Sequence, residues 1–429
     1  MTNTRFLSKF NLQNLLYTFV LFQIVNISIF LLTRSDQIKL NFDIYLNFIK
    51  YTTLLMTLYA VLLLISDIKI IKRKFNLLTI STSGLILALY FTMIIHTDKL
   101  ALFSPTIFLM LIVFVIYSVK LINFQDLLKV VFLSTLFNSL FVLLQIFNFI
   151  PVAQENIRES VFDIGNRPTG IFFNAFAMGY AMSICFIIFS YQLIKKNINL
   201  INVLGSIFSL VSLNFSGTRT SLVLSLILIF LLFIFFKINS KNIIPILTFI
   251  FTFVVASTPF FIIGIGNFFN IGSLSGLNGR TQLWSCVLNK WESFLPFGVG
   301  VQAAFPQGFC SDDVWFSRLR HPENMFLLTY VEAGIVGLLT LVGFFIVVFY
   351  ISNNAIKKGN YLPWAISNIF LLSSLFYVPL FHYLPFLPNR TADRGVFNFF
   401  LITLIWVVIL KISLEDNQSS SYPKSKNSK

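Results

Sequence analysis

Residues 311–350 read SDDVWFSRLRHPENMFLLTYVEAGIVGLLTLVGFFIVVFY, and the character of the chain changes at Glu323. A polar run occupies residues 267–322 before this point, and an apolar run follows it to residue 350. A helix needs about 20 mainly apolar residues to cross a bilayer, so the second run predicts a membrane helix. The first run is the only polar segment long enough to hold a reaction, and we expect the function to depend on it.

The composition of the whole chain is that of a membrane protein. Of its 429 residues, 57% are hydrophobic and 11% are charged, whereas a soluble domain carries roughly a quarter charged residues. Lipid and neighbouring helices would cover the apolar faces. The net charge of +15 would suggest a nucleic-acid partner in a soluble protein. Here the basic residues lie mostly in short loops, so they indicate membrane topology and no nucleic-acid partner is expected.

Apolar segments of about the length of a span predict an all-α polytopic protein, with one transmembrane domain over residues 1–414. The twelve segments are 13–33, 44–66, 76–95, 103–119, 130–150, 169–193, 198–214, 219–236, 243–266, 323–350, 362–381 and 396–412. The seventh and eighth are the least distinct pair, because only Phe215 to Thr218 separate them. The tail 415–429 is rich in Ser, Asn and Lys and is predicted to be disordered.

Lysines in the short loops indicate the orientation, because cytoplasmic loops carry an excess of basic residues. In the twelve-span arrangement the lysine-rich loops fall on one side. Their lysines include Lys9, Lys69, Lys72, Lys74, Lys120, Lys129, Lys195, Lys196, Lys237, Lys241, Lys357 and Lys358. This side is predicted to be the cytoplasm and to hold both termini. The run 267–322 is then one large outward-facing loop, in which Arg280 and Trp284 begin an amphipathic segment.

Arginines show the opposite distribution. Arg5 and Arg73 fall on the cytoplasmic side, and the other nine fall on the outer side: Arg34, Arg158, Arg167, Arg219, Arg280, Arg318, Arg320, Arg390 and Arg394. The planar guanidinium binds phosphate in a bidentate manner, so this bias predicts an anionic ligand on the outer face, such as a phosphate or diphosphate. The alternative for roughly half of these arginines is a weak surface ion pair, for example with Glu155, Asp163 or Asp393.

The chain has three cysteines, and no Cys or His pair has metal-ligand spacing, so no metal site is expected. Cys185 lies inside a predicted span, whereas Cys286 and Cys310 lie in the same outer loop. A disulfide between these two is one prediction, because the compartment permits oxidation. The alternative is that Cys286 lies on the buried face of an amphipathic helix.

Four short motifs occur on the outer side, in a fixed order along the chain. They are Arg167-Pro168-Thr169-Gly170 with Asn174, Ser216-Gly217-Thr218-Arg219, Gly279-Arg280 with Trp284 and Phe297-Gly298-Val299-Gly300, and His321-Pro322-Glu323-Asn324 with Glu332, Gly334 and Gly337. Glu332 lies inside a predicted span, about three turns from its start. An intramembrane carboxylate is a candidate functional group, and pairing with an inward-facing Arg or Asn is the equal alternative. Gly334 and Gly337 are interpreted as helix-packing positions.

By their order and outward location, these motifs resemble the O-antigen polymerase and O-antigen ligase superfamily of bacterial membrane glycosyltransferases. The resemblance covers residues 167–337. It implies about a dozen spans in the bacterial inner (cytoplasmic) membrane, one large periplasmic loop, and an active site that faces the periplasm. It also implies transfer of a glycan from undecaprenyl diphosphate to an acceptor sugar hydroxyl without a metal or other cofactor. The expected partners are the lipid-linked donor and acceptor, membrane lipids and a chain-length regulator.

The resemblance assigns roles by motif position. Arginines of the family contact the diphosphate, and this role falls on Arg219 and Arg280, and further on Arg167 and on Arg318 or Arg320. Family ligases commonly read His-Asn where this chain reads Glu323-Asn324, and Asn174-Ala175-Phe176 departs from the usual Asn-Pro-Asn-like segment. An acidic residue before the Asn favours a polymerase over a ligase. A flippase or exporter of the same lipid-linked sugar is a third reading, although such a site should lie near the midplane of the membrane.

The transfer also needs a base for the acceptor hydroxyl, and two residues compete for this role. His321 has an ordinary pKa of about 6.5, near the working pH, and its extended position before Pro322 lets its ring reach over the loop. Glu323 is expected in the first helical turn, where the helix dipole favours the carboxylate and weakens it as a base. An apolar pocket would reverse that effect. The alternative is that His321 caps the helix and Glu323 pairs with Arg320, with Asn324 and Glu332 in supporting roles.

Overall fold

Helices account for every regular element in the part of the chain that the structure describes. The structure is a computed structural model, and it describes residues 12–34, 51–52, 54–63, 77–96, 122–152, 167–172, 175–238, 243–256, 280–299, 324–373 and 405–413. No strand occurs in these ranges, so the predicted all-α class is confirmed there. The predicted tail 415–429 and the predicted span 103–119 lie outside them.

Within the described residues, twelve helices are numbered in chain order. They are α1 Leu12–Arg34, α2 Leu54–Leu63, α3 Leu77–His96, α4 Phe124–Ile146, α5 Ala175–Ile194, α6 Leu200–Phe215, α7 Arg219–Ile238, α8 Ile243–Ala256, α9 Arg280–Asn289, α10 Met325–Lys357, α11 Leu362–Ser373 and α12, residues 405–413. A short 3₁₀ helix, Trp291–Phe294, follows α9. The separation of α6 from α7 agrees with the interpretation of residues 215–218 as a break.

Five of the described helices are long and apolar enough to cross a membrane. They are α1 over Leu12–Ile29, α4, α5, α7 over Arg219–Lys237, and α10. Helices α2, α6 and α11 are shorter apolar helices. By length and composition, these five candidate spans indicate a polytopic membrane protein. The count of about twelve spans stays a prediction, because several predicted segments continue beyond the described ranges.

Helix α5 lies at the centre of the bundle, and nearly all of its side chains are buried. Its sequence is apolar on every side, which is typical of a helix surrounded by other helices. Close packing depends on small residues, as in other membrane bundles. A Cβ on Gly205 of α6 would lie 2.7 Å from the ring of Phe189 on α5. Between α4 and α6, the hydroxyl oxygens of Ser139 and Ser212 are 2.9 Å apart.

One end of the bundle brings together the helix ends that carry lysines, and we call it the lysine end. The Tyr191 hydroxyl of α5 donates to Asn360 Oδ1 at 3.1 Å and accepts from the Tyr361 N–H at 3.2 Å. The Phe236 ring of α7 contacts both tyrosine rings. Asn360 also donates to the Ser413 hydroxyl of α12 at 3.4 Å. The ends near Lys195, Lys237 and Lys357 therefore meet, as the lysine pattern requires.

The opposite end of α5 contacts a segment that begins with Arg167 and a turn that directly precedes Arg219, and we call it the arginine end. It consists of the segment 167–172, which precedes α5, and the turn 216–218 between α6 and α7. The segment 167–172 replaces the first turns of the predicted span 169–193, so α5 begins at Ala175. The predicted start was wrong because Gly170 has a φ of 58°, which does not fit a right-handed helix.

Helix α10 differs from the prediction in its start and its continuity. Asn324 is its N-cap, with φ −143° and ψ 129°. The expectation that Glu323 lies in the first turn is corrected, because the helix begins two residues after it; Glu323 itself lies outside the described residues. The helix is broken at Gly334, where φ is 62° and ψ is −158°. Because the helix begins at Met325, Glu332 lies about two turns from its start, whereas three were predicted.

The side of the membrane that the lysine end faces is open to a direct test. We expect a fusion after Asn360 to activate a reporter that works only in the cytoplasm. A fusion after Gly308, in the loop 267–322, should activate a reporter that works only outside, because positive charge stays on the cytoplasmic side. The reverse pattern in the two fusions would show that the predicted orientation is wrong and that the loop 267–322 faces the cytoplasm.

Candidate functional site

The segment that carries Arg167 is fixed to α4 by the side chain of Gln145. Gln145 Oε1 accepts hydrogen bonds from the N–H groups of Thr169 and Gly170, both at 2.8 Å. Its Nε2 donates to the Thr169 hydroxyl at 3.2 Å. About two turns earlier on α4, Asn138 Oδ1 accepts a hydrogen bond from the Ile171 N–H at 3.2 Å. These bonds occupy backbone donors that a helix would otherwise pair.

The turn between α6 and α7 is compact and packs directly on α5. The Ser216 and Thr218 hydroxyl oxygens are 2.6 Å apart, and the Ser216 hydroxyl donates to the Leu213 carbonyl at 2.6 Å. A Cβ on Gly179 of α5 would lie within 2.5 Å of the Ser216 hydroxyl and closer still to that of Thr218. Only a glycine at position 179 lets α5 approach the turn this closely.

The segment 167–172 and the turn 216–218 meet through Arg167 and Gly217. Gly217 has a φ of 64°, and a Cβ there would lie 3.0 Å from Arg167 Nε and 3.2 Å from Cζ. The guanidinium carbon of Arg167 is 5.8 Å from the centroid of the Phe176 ring, which is within the range of a cation–π contact. The Arg167 side chain therefore lies between the turn 216–218 and the start of α5.

Arg219 lies two residues after Gly217 and begins α7. Its N–H donates to the Gly217 carbonyl at 3.1 Å, and its side chain is exposed. The structure thus brings Arg167 and the Arg219 turn into one group, although the two motifs are about fifty residues apart in the sequence. It places two guanidinium-bearing segments beside the N-terminus of α7, where free N–H groups favour an anion.

A second group of candidate residues lies around the first segment of α10. Trp284 and Val287 of α9 form a buried cluster with Phe294, Leu327, Tyr330 and Val331. The Tyr330 hydroxyl donates to the Trp291 carbonyl at 2.7 Å. The predicted amphipathic character of the segment that starts at Arg280 is explained by this contact, because Trp284 lies on the face that α10 covers. Arg280 is the first residue of α9.

The segment 296–299 docks its backbone into the break of α10. The Val299 N–H donates to the Val331 carbonyl at 2.8 Å. A Cβ on Gly298 would lie 2.4 Å from the carbonyl carbon and oxygen of Glu332, and a Cβ on Gly334 would lie 2.1 Å from the Pro296 oxygen. Glu332 is 3% exposed, so its side chain is buried. Gly334 packs against the backbone of residues 296–298 and breaks the helix, whereas the sequence predicted a helix-packing position.

The start of α10 is fixed by Asn324, which is fully buried. Its Oδ1 accepts from the N–H groups of Phe326 and Leu327 at 3.0 and 3.1 Å. Asn is among the preferred N-cap residues because its side chain satisfies free helix donors. The side chain of Asn324 therefore sets where the helix starts, and the chain that precedes it carries His321 and Glu323.

Cys286 of α9 is disulfide-bonded, and Cys185 is free and buried. Cys310, the predicted partner of Cys286, lies outside the described residues. The bonded state of Cys286 agrees with the loop-disulfide prediction, and the pairing with Cys310 stays a prediction. Within the described residues, no group of three or more His, Cys, Asp or Glu side chains could hold a metal ion.

Several predicted site residues lie outside the described ranges, or have side chains that are not described. The first set is Asn174, Arg318, Arg320, His321 and Glu323, and the second is Arg280. Sequence reasoning missed Gln145 and Asn138, which fix the Arg167 segment. Their signal was present, because amide side chains are rare inside an apolar span, but the sequence gives no partner for them.

These features define a helical membrane protein with Arg167 and Arg219 beside one turn at one end, and with a broken helix onto which the segment 296–299 packs. Residues 204–342 match the family model described as O-antigen ligase. The match runs from α6 to α10 and includes the Ser216 turn, α9 and the break at Gly334, so the resemblance to the O-antigen ligase superfamily is confirmed over this segment. The Arg167 segment lies outside it. No curated protein matches the chain.

The break at Gly334 gives a prediction with a control in the same helix. Replacing Gly334 by Ala should lower the thermal stability of the purified protein by several degrees, because the positive φ costs about 1–3 kcal/mol and the Cβ would overlap the Pro296 oxygen. Gly343→Ala should be neutral or mildly stabilising, because no atom lies within 4 Å of its Cβ position and Ala is the better helix former. Equal effects of the two changes would contradict the docked break.

Proposed function

We propose that this protein is a polymerase that joins undecaprenyl-diphosphate-linked oligosaccharide repeat units at the periplasmic face of the inner membrane. The observation that carries the proposal is the meeting of the Arg167 side chain with the turn that leads into Arg219. The match of residues 204–342 supports the general class of enzyme, a membrane glycosyltransferase that acts on lipid-linked glycans. Fold alone does not decide the reaction, so the chemistry of the site has to support it.

The leaving group explains why arginines are needed. When the glycosidic bond to the diphosphate breaks, negative charge develops on the leaving oxygen, and positioned cations stabilise it. Arg167 is held in place by its contacts with Gly217 and Phe176, so little side-chain entropy is lost when it binds. Arg219 is exposed and begins a helix whose free N–H groups favour an anion. Together they form the proposed diphosphate site.

A second set of residues would serve the acceptor hydroxyl. Arg280 begins α9, which packs on the first segment of α10 through Trp284. The candidate bases His321 and Glu323 directly precede Asn324, the N-cap of α10. Arg280, Arg318 and Arg320 would add positive charge on this side of the loop. We propose His321 as the base, with Glu323 as the competing base or as the group that orients it.

The reaction then balances as a single displacement. The acceptor oxygen forms a bond to the anomeric carbon of the donor sugar, and the bond from that carbon to the diphosphate oxygen breaks. The hydroxyl proton passes to His321, and undecaprenyl diphosphate leaves with its charge compensated by the arginines. The chain's own residues supply the base and the cations, and no other cofactor is invoked.

The ligase alternative has a specific observation in its favour. The family model that matches residues 204–342 is described as O-antigen ligase, and a ligase would use the same donor site with lipid A core or protein as acceptor. The polymerase is preferred because Glu323 stands where ligases of the family commonly have His. A flippase is disfavoured because the proposed ligand-binding arginines Arg167 and Arg219 lie at one end of the bundle, whereas a transport site should lie near its middle.

Surface polysaccharide on a gel distinguishes these functions. Deleting the gene for a polymerase should leave a surface glycan that carries a single repeat unit, because the repeats are made and attached but not joined. Deleting the gene for a ligase should instead leave lipid-linked polymer with none attached at the surface. Loss of all repeat units from the outer face, with lipid-linked units retained in the cytoplasmic leaflet, would indicate the flippase and refute the proposal.

Purified protein and lipid-linked donor test the individual residues. We expect Arg219→Ala to abolish polymer and Arg219→Lys to reduce turnover about 10- to 100-fold, because Lys keeps the charge and loses the bidentate geometry. Lys237→Ala is the control, since Lys237 lies on the same helix at the lysine end. Arg280→Ala should behave as Arg219→Ala does. Full-length polymer from either Ala variant would remove that arginine from the site.

The same assay across pH decides between the two bases. With His321 as base, turnover of the unmodified protein should fall as the pH drops through about 6.5, because protonated imidazole cannot accept the hydroxyl proton. His321→Ala should be inactive. If His321→Ala keeps near-normal turnover while Glu323→Gln is inactive, Glu323 is the base. If both variants keep turnover, catalysis depends on diphosphate stabilisation alone.

A further inference from the structure

The side chain of Gln145 makes several polar contacts with the chain at the arginine end. Its amide is 4% exposed, and every described partner belongs to the irregular chain between α4 and α5. Oε1 accepts from two N–H groups, of Thr169 and Gly170. Nε2 donates to the Thr169 hydroxyl at 3.2 Å and to the Pro151 carbonyl at 3.4 Å. The amide thus uses both its acceptor and its donor capacity.

The Arg167 segment depends on these bonds for its shape. Its described internal backbone bond joins the Phe172 N–H to the Thr169 carbonyl at 2.9 Å, and this bond does not fix the residues before Thr169. The N–H groups of Thr169 and Gly170 are both paired with Gln145. Gly170 is in the left-handed region with φ 58°, a conformation that no regular element supplies. Removal of the Gln145 amide would leave two buried N–H groups to find other partners.

The link from Thr169 to Arg167 is short and stiff. Pro168 lies between them, and its ring fixes φ near −65°, so the direction of the chain at Arg167 follows from the position of Thr169. The Arg167 side chain then packs on Gly217 and over the Phe176 ring. Because Gly217 precedes Arg219 by two residues, a displaced Arg167 segment would also lose its contact with the turn that carries Arg219.

We propose that Gln145 is a positioning residue of the diphosphate site, which acts by fixing the Arg167 segment against the turn 216–218. The proposal rests on the proposed function, since it takes Arg167 as a ligand of the donor diphosphate. Gln145 does not touch the ligand. It lies on α4, outside the segment matched by the family model, and it makes the geometry of Arg167 depend on a helix that carries none of the candidate reacting groups.

Binding of undecaprenyl diphosphate to the purified protein in lipid nanodiscs tests the proposal. We expect Gln145→Met, which keeps the length and removes every polar contact, to raise the Kd about tenfold, the effect of one or two lost hydrogen bonds. Thr169→Val, which removes only the hydroxyl that accepts from Nε2, should raise it about threefold. This gentler variant carries the same test if Gln145→Met does not fold.

A double-mutant cycle separates positioning from general damage to the fold. In an Arg167→Ala background, Gln145→Met or Thr169→Val should change the Kd less than about twofold, because a residue that acts through Arg167 has nothing left to position. Asn202→Leu is the matched control: Asn202 is a fully buried amide whose Nδ2 holds the loop before α6, at the lysine end, through the Asn197 carbonyl at 2.7 Å. It should lower stability and leave the Kd unchanged.

Hydrogen exchange gives a readout that does not depend on the ligand. The amides of Thr169 and Gly170 should exchange faster in Gln145→Met than in the unmodified protein, while those of the turn after α5 should not. Unchanged exchange at these two amides would overturn the proposal, as would an equal loss of binding with and without Arg167. If Arg167→Ala alone binds undecaprenyl diphosphate normally while both exchange rates rise as expected, the diphosphate role of Arg167 fails and the Gln145 contacts stand.

Discussion

Backbone that leaves the helical conformation inside a membrane protein must find its hydrogen-bond partners within the protein, because lipid supplies none. Two irregular segments of this chain illustrate the constraint. The segment 167–172 takes its partners from Gln145 and Asn138 of α4, and the segment 296–299 takes one from the Val331 carbonyl, at the break of α10. Both segments carry or adjoin the candidate functional residues. The same requirement that makes irregular backbone costly therefore fixes the positions of the side chains around it.

Glycine makes one close contact of each irregular segment sterically possible. Gly217 lets the Arg167 side chain lie against the backbone of the turn, and Gly334 both breaks α10 and admits the Pro296 carbonyl. At both positions φ is positive, so the residue is required for its conformation as well as for its lack of a side chain. Close packing at these two glycines therefore fixes where the turn 216–218 lies against Arg167 and where the segment 296–299 lies against α10.

The sequence predicted the helices well where the apolar pattern was continuous, and less well where the chain departs from it. The lysine-bearing ends meet through Tyr191 and Asn360, as the charge pattern required. The start of α5 was predicted about six residues early, because residues 169–174 are apolar enough in sequence to extend a helix, whereas residues 169–171 are held out of it by contacts with Gln145 and Asn138 and by the positive φ of Gly170. Hydropathy averages over such a segment, whereas its conformation depends on two specific backbone donors. The role of Gln145 could not be predicted for the same reason, since the sequence shows an amide in a span without showing its partner.

The extent of the family match has a structural consequence for the proposed site. Residues 204–342 contain Arg219, Arg280 and the candidate bases, which are the groups that the transfer reaction would use. The surfaces that position Arg219 lie elsewhere: Gly179 of α5 admits the turn 216–218, and Arg167 packs on Gly217 from a segment held by α4. The matched segment taken alone would leave Gly217 and Thr218 without the chain that covers them. The proposed site therefore needs more of the bundle than the matched segment: α4 holds the Arg167 segment, and α5 supports the turn that precedes Arg219.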